Sequence, residues 1–119
     1  MKLTKEQAVE EHRKMWNWIA EETEKRRAVI TKEDYLREFY PDEEIKNVCF
    51  CCQYACQLAD LVLCDYCPID WANEEGCLWY GSAYEKWRRS KHMGNWRQAA
   101  AFAREIAELP ERDVQEDKQ

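Results

Sequence analysis

Near its start, the chain places mainly apolar residues at three- and four-residue spacing, the repeat of one face of an α-helix. This face comprises Ala8, His12, Met15, Trp16, Ile19 and Thr23. Thr4 and Gln7 have the residue types of a capping box, in which each side chain bonds the backbone N–H of the other residue. We therefore predict a first helix that begins near Lys5 and runs to about Arg27, with Trp18 at the edge of its buried face.

The middle of the chain carries two further helix signals. Thr31 with Asp34 predicts a short helix over residues 32–39, which Pro41 ends. Residues 51–61 contain no Gly or Pro and are rich in Ala, Leu and Cys, so we predict another helix there. The stretch that follows, residues 64–81, is predicted to be irregular because it is punctuated by Pro68, Gly76 and Gly81.

The last third of the chain predicts two helices. Ser82 with Glu85 opens one that runs to about Lys91 before Gly94 breaks it. Asn95 with Gln98 caps the final helix, whose buried face should comprise Trp96, Ala99, Ala100, Phe102, Ala103, Ile106 and Leu109. Pro110 stops this helix, so we expect a single mainly α domain over residues 1–110 and a disordered polar tail over residues 111–119.

Composition supports one small domain in an intracellular setting. The 119 residues are 45% apolar and 35% charged, which suits helices with one buried face and charged outer faces. The first 30 residues carry many charges and lack the apolar segment of a signal peptide. No stretch approaches the roughly 18 apolar residues of a membrane span. We expect a soluble protein of the cytoplasm that does not bind membranes.

Seven cysteines lie within 29 residues of each other. Their odd number, without a secretion signal, argues against a disulfide framework and favours metal binding. Two C-x-x-C pairs, Cys49 with Cys52 and Cys64 with Cys67, have eleven residues between them. This spacing is typical of a structural zinc ion held by four thiolates at about 2.3 Å. We therefore predict a small helical domain organised around a four-cysteine zinc knuckle.

The ligand assignment leaves alternatives open. Cys77 lies ten residues after Cys67 and is a candidate replacement for one of the four ligands. Cys51 and Cys56 are better interpreted as small buried apolar residues. The two histidines are more often core or surface residues than ligands, and both lie far from the cluster in sequence, namely His12 and His92.

Catalytic motifs are missing from the sequence. It contains no phosphate-binding P-loop, no dinucleotide glycine fingerprint, no G-x-S-x-G and no H-E-x-x-H. A redox role for Cys64 and Cys67 is disfavoured because Pro68 follows and no βαβ pattern surrounds the pair. A zinc ion with four thiolates has no open position for water. We expect the protein not to be an enzyme.

Charge is distributed in two blocks. Residues 48–85 contain six acids and no Lys or Arg, whereas residues 86–104 contain six bases and no acid. Residues 86–97 mix basic and aromatic side chains, a combination that suits phosphate contacts and base stacking. Neighbouring blocks of opposite charge can also neutralise each other within the fold. We favour neutralisation, and so place nucleic-acid binding second.

The cysteine and tryptophan positions resemble those of a known group of proteins. The shared motifs are Cys-Phe-x-Cys-x-Tyr-Ala from Cys49, Cys-x-x-Cys-Pro-x-x-Trp from Cys64, Cys77-Leu78, Tyr84-x-x-Trp87, His12-x-x-x-Trp16 and Ile106-Ala107-x-Leu109-Pro110. Together they resemble small cysteine-rich proteins encoded by phages and prophages. This resemblance implies a zinc-binding accessory protein in which the matched cysteines are Cys49, Cys52, Cys64, Cys67 and Cys77.

The resemblance also bears on function. Proteins of this kind often act by binding a macromolecule of the host or the phage, host defence components included. Abundant Trp and Tyr suit such a role, since these residues dominate interface hot spots. We therefore expect a zinc-stabilised, phage-encoded module that binds and modulates a bacterial host protein. A nucleic-acid-binding accessory protein that uses residues 86–97 is the alternative.

Overall fold

The computed structural model describes residues 3–42, 50–51, 54, 67–72, 77 and 80–112. Within these ranges it forms four named helices and no strand: α1 (Lys5–Arg26), α2 (Lys32–Phe39), α3 (Ala83–His92) and α4 (Trp96–Ala107). The mainly α class is confirmed, and each of these helices begins where its capping residue predicts. The helix predicted over residues 51–61 lies largely outside the described residues, although Cys51 and Tyr54 are helical.

Local side-chain chemistry explains these helix starts. The Thr4 hydroxyl accepts a hydrogen bond from the Gln7 N–H at 3.0 Å, and the Gln7 side chain accepts one from the Thr4 N–H at 2.9 Å. Thr31 and Asp34 form the same reciprocal box at α2. Such boxes satisfy backbone donors that the first turn of a helix leaves without partners.

The later two helices are capped by one side chain each. The Ser82 hydroxyl accepts from the Glu85 N–H at 3.1 Å, and the same hydroxyl donates to the Cys77 carbonyl. The Asn95 side-chain oxygen accepts from the Gln98 N–H at 3.1 Å. Ser82 thereby links the start of α3 to Cys77, the last of the seven cysteines.

The core lies where α1, α3 and α4 pack against one another. At its centre the rings of Trp16 and Trp87 meet edge to face, with centroids 4.9 Å apart. Tyr84 completes this cluster through a further edge contact with Trp16. All six positions predicted for the buried face of α1 are buried, which confirms that interpretation.

The predicted face of α4 is only partly correct. Ala99, Ala100, Ala103 and Ile106 are buried, as expected, and Ala107 joins them. In contrast, Trp96, Phe102 and Leu109 are only half-buried. Trp96 and Leu109 lie at or beyond the helix ends, and Phe102 is turned about 100° around the axis from Ala103. The alanines therefore form the contact surface, and the larger side chains flank it.

A left-handed turn sets α2 against α1. Arg27 ends α1 with a positive φ of 54°, a conformation that reverses the chain direction after a helix. The Thr23 side chain then accepts a hydrogen bond from the Ile30 N–H at 3.1 Å. These contacts fix the start of α2, which packs beside α1 and contributes Tyr35 to the core.

After α4, the chain pairs with residues 68–70, which lie within the cysteine-containing stretch 49–77. Glu111 forms an isolated antiparallel bridge with Ile69, and the Asp70 N–H donates to the Pro110 carbonyl at 2.8 Å. The Arg112 N–H donates to the Pro68 carbonyl at 2.9 Å. Backbone pairing thus extends two residues past the domain boundary predicted at residue 110. The remainder of the predicted tail, residues 113–119, lies outside the described residues.

Candidate functional site

The predicted zinc ligands are only partly within the described chain. Cys49, Cys52 and Cys64 lie outside it, whereas Cys67 is described and 8% exposed. Cys77, the alternative ligand, is half-buried. Among the described residues, no three His, Cys, Asp or Glu side chains converge in a way that would hold a metal ion. The four-cysteine zinc knuckle therefore stays a prediction.

The surroundings of Cys67 fit a ligand role. Its carbonyl accepts a hydrogen bond from Arg112 Nε at 2.6 Å, and the next residue, Pro68, pairs with the Arg112 backbone. Trp71, four residues further on, is buried with its ring edge-on to His12. The backbone at Cys67 is thus held by the end of the chain on one side and by α1 on the other. A fixed backbone of this kind favours metal binding because it sets the direction of the thiolate in advance.

Three of the remaining His and Cys side chains lie within the described residues. His12 is fully buried, and its Nε2 lies 3.3 Å from the Ile106 carbonyl, so Nε2 is the protonated nitrogen. Its Nδ1 has no hydrogen-bond partner within the described part of the chain. Cys51 is also fully buried, as expected for a core residue, and His92 is exposed. Cys56 lies outside the described residues.

Most of the predicted neutralisation between the two charge blocks lies outside the described residues, which include only Asp70 and Glu85 of the six acids. Among the described residues, one ion pair joins the two blocks. It is formed by Arg89 and Glu85, whose charged atoms are 3.0 Å apart and which lie one helical turn apart on α3. Arg88 and Arg97 are exposed, and neither pairs with a carboxylate in the described chain. Arg88 lies on α3 and Arg97 on the first turn of α4, and both side chains are directed to solvent. Trp87, by contrast, is 1% exposed and belongs to the core, so it is not available for base stacking.

A different surface, between α1 and α2, gathers aromatic side chains. On α1, Glu11, Lys14 and Trp18 follow one another at three- and four-residue spacing, so they share one face. On α2, Tyr35 and Phe39 are four residues apart and face α1. Together they enclose a concavity of about 370 Å³, hereafter the α1–α2 concavity, lined by Glu11, Lys14, Trp18, Tyr35, Phe39 and Tyr40.

The aromatic rings of the α1–α2 concavity pack against one another. The Trp18 ring meets Tyr35 and Phe39 edge to face, with centroids 5.5 Å and 5.6 Å away. Tyr35 and Phe39 lie 4.7 Å apart in a tilted arrangement. Phe39 nevertheless remains 49% exposed, and Trp18 and Tyr40 are half-buried. The rings are therefore fixed in position while a large part of their apolar surface still meets water.

One carboxylate lies among these rings. Glu11 Oε1 accepts hydrogen bonds from the hydroxyls of Tyr40 at 2.7 Å and Tyr35 at 3.2 Å. Its other oxygen, Oε2, is 3.6 Å from Lys14 Nζ. Burial, and then the negative charge of Glu11, raise the pKa of Tyr35 above its ordinary value. The Tyr35 hydroxyl therefore stays protonated near neutral pH and continues to orient the carboxylate.

A second concavity of about 380 Å³ lies beside the end of the described chain, and most of its charged groups are in ion pairs. Glu111 forms ion pairs with Lys5 at 3.8 Å and with Arg13 at 4.0 Å. Arg13 also donates to the Leu109 carbonyl at 3.2 Å. These contacts attach residues 109–111 to α1, which is a structural role.

Of the residues that line the α1–α2 concavity, the sequence pattern identified only Trp18. Trp18 was predicted at the edge of the buried face of α1, and its half-burial confirms this. Glu11, Tyr35, Phe39 and Tyr40 were not selected. A signal was present: a charged helix of eight residues that contains two aromatic residues four apart, directly followed by a third. A short surface helix does not need this many aromatic residues for its own packing.

Comparison with known proteins gives no further guidance. No protein-family model, no curated protein and no solved structure matches the chain. Within the described ranges, no helix combines the length and the apolar character needed to cross a bilayer. Function is therefore inferred from the surfaces described above.

Proposed function

We propose that this chain is a protein-interaction module that binds its partner in the α1–α2 concavity. The observation that carries the proposal is the exposed Phe39, packed against the half-buried Trp18 beside the Glu11 carboxylate. Aromatic side chains supply large contact areas at low entropic cost, and their truncation at interface centres commonly costs about 2 kcal/mol or more. A partner that covers the concavity would remove the exposed part of Phe39 from water.

The proposal includes a structural zinc ion. The supporting observations are the two C-x-x-C pairs and the fixed backbone at Cys67. Through Arg112 and the bridge between Ile69 and Glu111, a zinc-bound segment would be connected to the end of α4 and to α1. A metal in this position contributes folding free energy to a domain whose core is small.

The partner class follows from the resemblance to phage and prophage proteins. We infer a bacterial host protein, for which a defence component is one candidate, that is modulated when the module binds it. The concavity is compatible with this role because a side chain that protrudes from a partner protein would fit into it. Its volume of about 370 Å³ falls at the small end of ligand sites, which are about 300–1,000 Å³.

Affinity purification with a matched pair of variants tests the proposal. Tagged wild-type chain, Phe39→Ala and Met93→Ala are expressed in bacteria, and the retained proteins are identified. Met93 serves as the control because it is 80% exposed at the C-terminal end of α3, away from the concavity. We expect a protein that is retained by the wild type and by Met93→Ala but is lost with Phe39→Ala. Identical retention by all three chains contradicts the proposal.

A second candidate function is nucleic-acid binding by the outer face of α3. The observation in its favour is that Arg88 on α3 points to solvent without a carboxylate partner in the described chain, as does Arg97 at the start of α4. Arg89 also lies 4.9 Å from the centroid of the Tyr80 ring, which is 71% exposed. It ranks second because the formal net charge of −6 opposes approach to phosphate backbones and because Trp87 is buried.

A further inference from the structure

We propose that the α1–α2 concavity receives the protonated side chain of a lysine from the partner protein. This inference rests on the proposed function, since it names the chemistry that the binding surface recognises. It is carried by three features of the concavity: aromatic rings of fixed orientation, a carboxylate with one oxygen that accepts no tyrosine hydroxyl, and an intramolecular lysine that already reaches this oxygen.

The aromatic rings supply the first part of the recognition. An ammonium group is attracted to the face of a Trp, Tyr or Phe ring within about 6 Å of its centroid. Trp18 and Phe39 are held by their contacts with each other and with the buried Tyr35, so a cation meets their exposed parts without reordering the site. The same chain shows this pairing elsewhere, where Lys91 Nζ lies 5.4 Å from the centroid of the Trp87 ring. The methylenes of a lysine would cover the exposed part of Phe39.

The carboxylate selects lysine over arginine. Glu11 Oε1 already accepts two tyrosine hydroxyls, which leaves Oε2 for a ligand. A guanidinium binds carboxylates best through two parallel hydrogen bonds, one to each oxygen. An ammonium is a point charge that needs only one oxygen. The hydrogen bonds from Tyr35 and Tyr40 therefore favour a lysine side chain.

Lys14 shows that an ammonium reaches this oxygen, and it is also the competitor of an incoming lysine. Its Nζ lies 3.6 Å from Glu11 Oε2 and 3.9 Å from Glu10 Oε2. The side chain is 59% exposed, and such surface ion pairs are weak. A ligand lysine would displace Lys14 from Glu11 while Lys14 keeps Glu10. Removal of the Lys14 charge should therefore strengthen binding.

The charge around the concavity agrees with a basic ligand. Residues 31–42, which contribute Tyr35, Phe39 and Tyr40 to the lining, contain four acids and two bases. The whole chain carries a formal net charge of −6. An acidic surface of this kind attracts a lysine-bearing partner and increases its association rate.

The test uses NMR titration of the full-length ¹⁵N-labelled protein. The probes are three blocked pentapeptides in which glycines flank a central lysine, arginine or norleucine. The reporter is the indole N–H of Trp18, assigned by comparison with Trp18→Phe. We expect the lysine peptide to shift this signal, the arginine peptide to bind roughly fivefold more weakly, and the norleucine peptide to have no effect.

Variants make the test specific. Glu11→Gln keeps the side-chain shape and an oxygen acceptor for the tyrosines, and we expect it to weaken lysine binding roughly tenfold. We expect Phe39→Ala to weaken it about fivefold and Lys14→Gln to strengthen it roughly two- to fivefold, with Met93→Ala unchanged. Unchanged ¹⁵N spectra away from the concavity verify that each variant is folded.

Two results would overturn the inference. One is equal binding of the lysine and norleucine peptides, and the other is the absence of any lysine-specific shift at about 50 mM peptide, a concentration that detects millimolar affinity. Failure here is distinguishable from failure of the proposed function. If Phe39→Ala still loses its partner in affinity purification, the module binds protein through this surface but recognises another group.

Discussion

Glu11 illustrates what a single residue contributes to this fold. Its carboxylate is largely buried, and burial of a charge is unfavourable unless hydrogen bonds compensate for it. Tyr35 and Tyr40 provide that compensation from α2 and from the residue directly after it. The same two bonds fix the carboxylate beside the rings of Trp18 and Phe39. One residue thus joins two helices and supplies the negative charge of the candidate binding surface.

Residues differ in how well the sequence alone predicts their roles. The caps at Thr4 and Thr31 were predictable because each depends on a partner three residues away. The hydrogen bond between Glu11 and Tyr40 spans 29 residues, and nothing local indicates it. The outward direction of Arg88 was likewise missed, because a count of charges along the chain does not say which face of a helix carries them.

Asp34 gives the fold a dependence on pH. Partial burial raises the pKa of Asp34, but hydrogen bonds from Thr31 and Arg37 outweigh this effect and leave the pKa below its ordinary value. A carboxyl group with a lowered pKa stabilises the folded state above its unfolded pKa of about 4. That stability is lost as the pH falls through the folded pKa. We expect Asp34→Asn to lower the free energy of unfolding by about 0.5–1 kcal/mol at pH 7.

Urea denaturation at pH 7 and at about pH 3 measures this effect. At the lower pH the difference between wild type and Asp34→Asn should shrink, since protonation weakens the wild-type cap as well. Glu33→Gln is the control, because Glu33 lies in the same helical turn but does not take part in the capping box. Equal destabilisation by the two substitutions, or a difference that does not change with pH, contradicts this assignment.

At the scale of the helices, length decides which ones depend on tertiary contacts. α2 has eight residues, and isolated helices shorter than about 12 residues are marginal in water. It persists because Tyr35 is buried against α1 and because Thr31 caps its first turn. The α1–α2 concavity therefore exists only as long as both helices are docked.

The helices also show where sequence patterns stop being informative. The three- and four-residue spacing correctly predicted the buried face of α1, a long helix packed on the core along its length. On α4 the same rule misassigned Phe102 and the residues near the helix ends. Periodicity identifies a face but does not show how far a neighbouring helix extends along it. In the structure, α1 packs against the alanines of α4, and this contact determines which residues of α4 are buried.

For the whole molecule, the first test concerns zinc. We expect protein purified without added metal to contain about one zinc ion per chain, measured by elemental analysis. Cys67→Ser should lose the metal and lower the melting temperature, because zinc binding contributes directly to folding. Cys51→Ala should retain the zinc and lose only about 1 kcal/mol of stability, since it leaves a small cavity in the core. Zinc content that is unchanged in Cys67→Ser would refute the ligand assignment.

The described part of the chain presents two candidate binding surfaces that differ in their charged groups. The α1–α2 concavity offers aromatic rings and a carboxylate, whereas the outer face of α3 offers basic side chains, such as Arg88, that have no carboxylate partner in the described chain. The proposed function assigns partner binding to the first surface. An experiment that reports which surface touches a macromolecule in the cell therefore decides between the two candidate functions.

Site-specific photo-crosslinking in bacterial cells is the most direct such measurement. The photoreactive amino acid p-benzoylphenylalanine replaces residue 39 in the concavity, residue 88 on the outer face of α3, or residue 93 as an exposed control. We expect a protein adduct of discrete mass from position 39 and none from positions 88 and 93. Nuclease-sensitive adducts from position 88, together with no adduct from position 39, would contradict the account and assign the function to the basic face of α3.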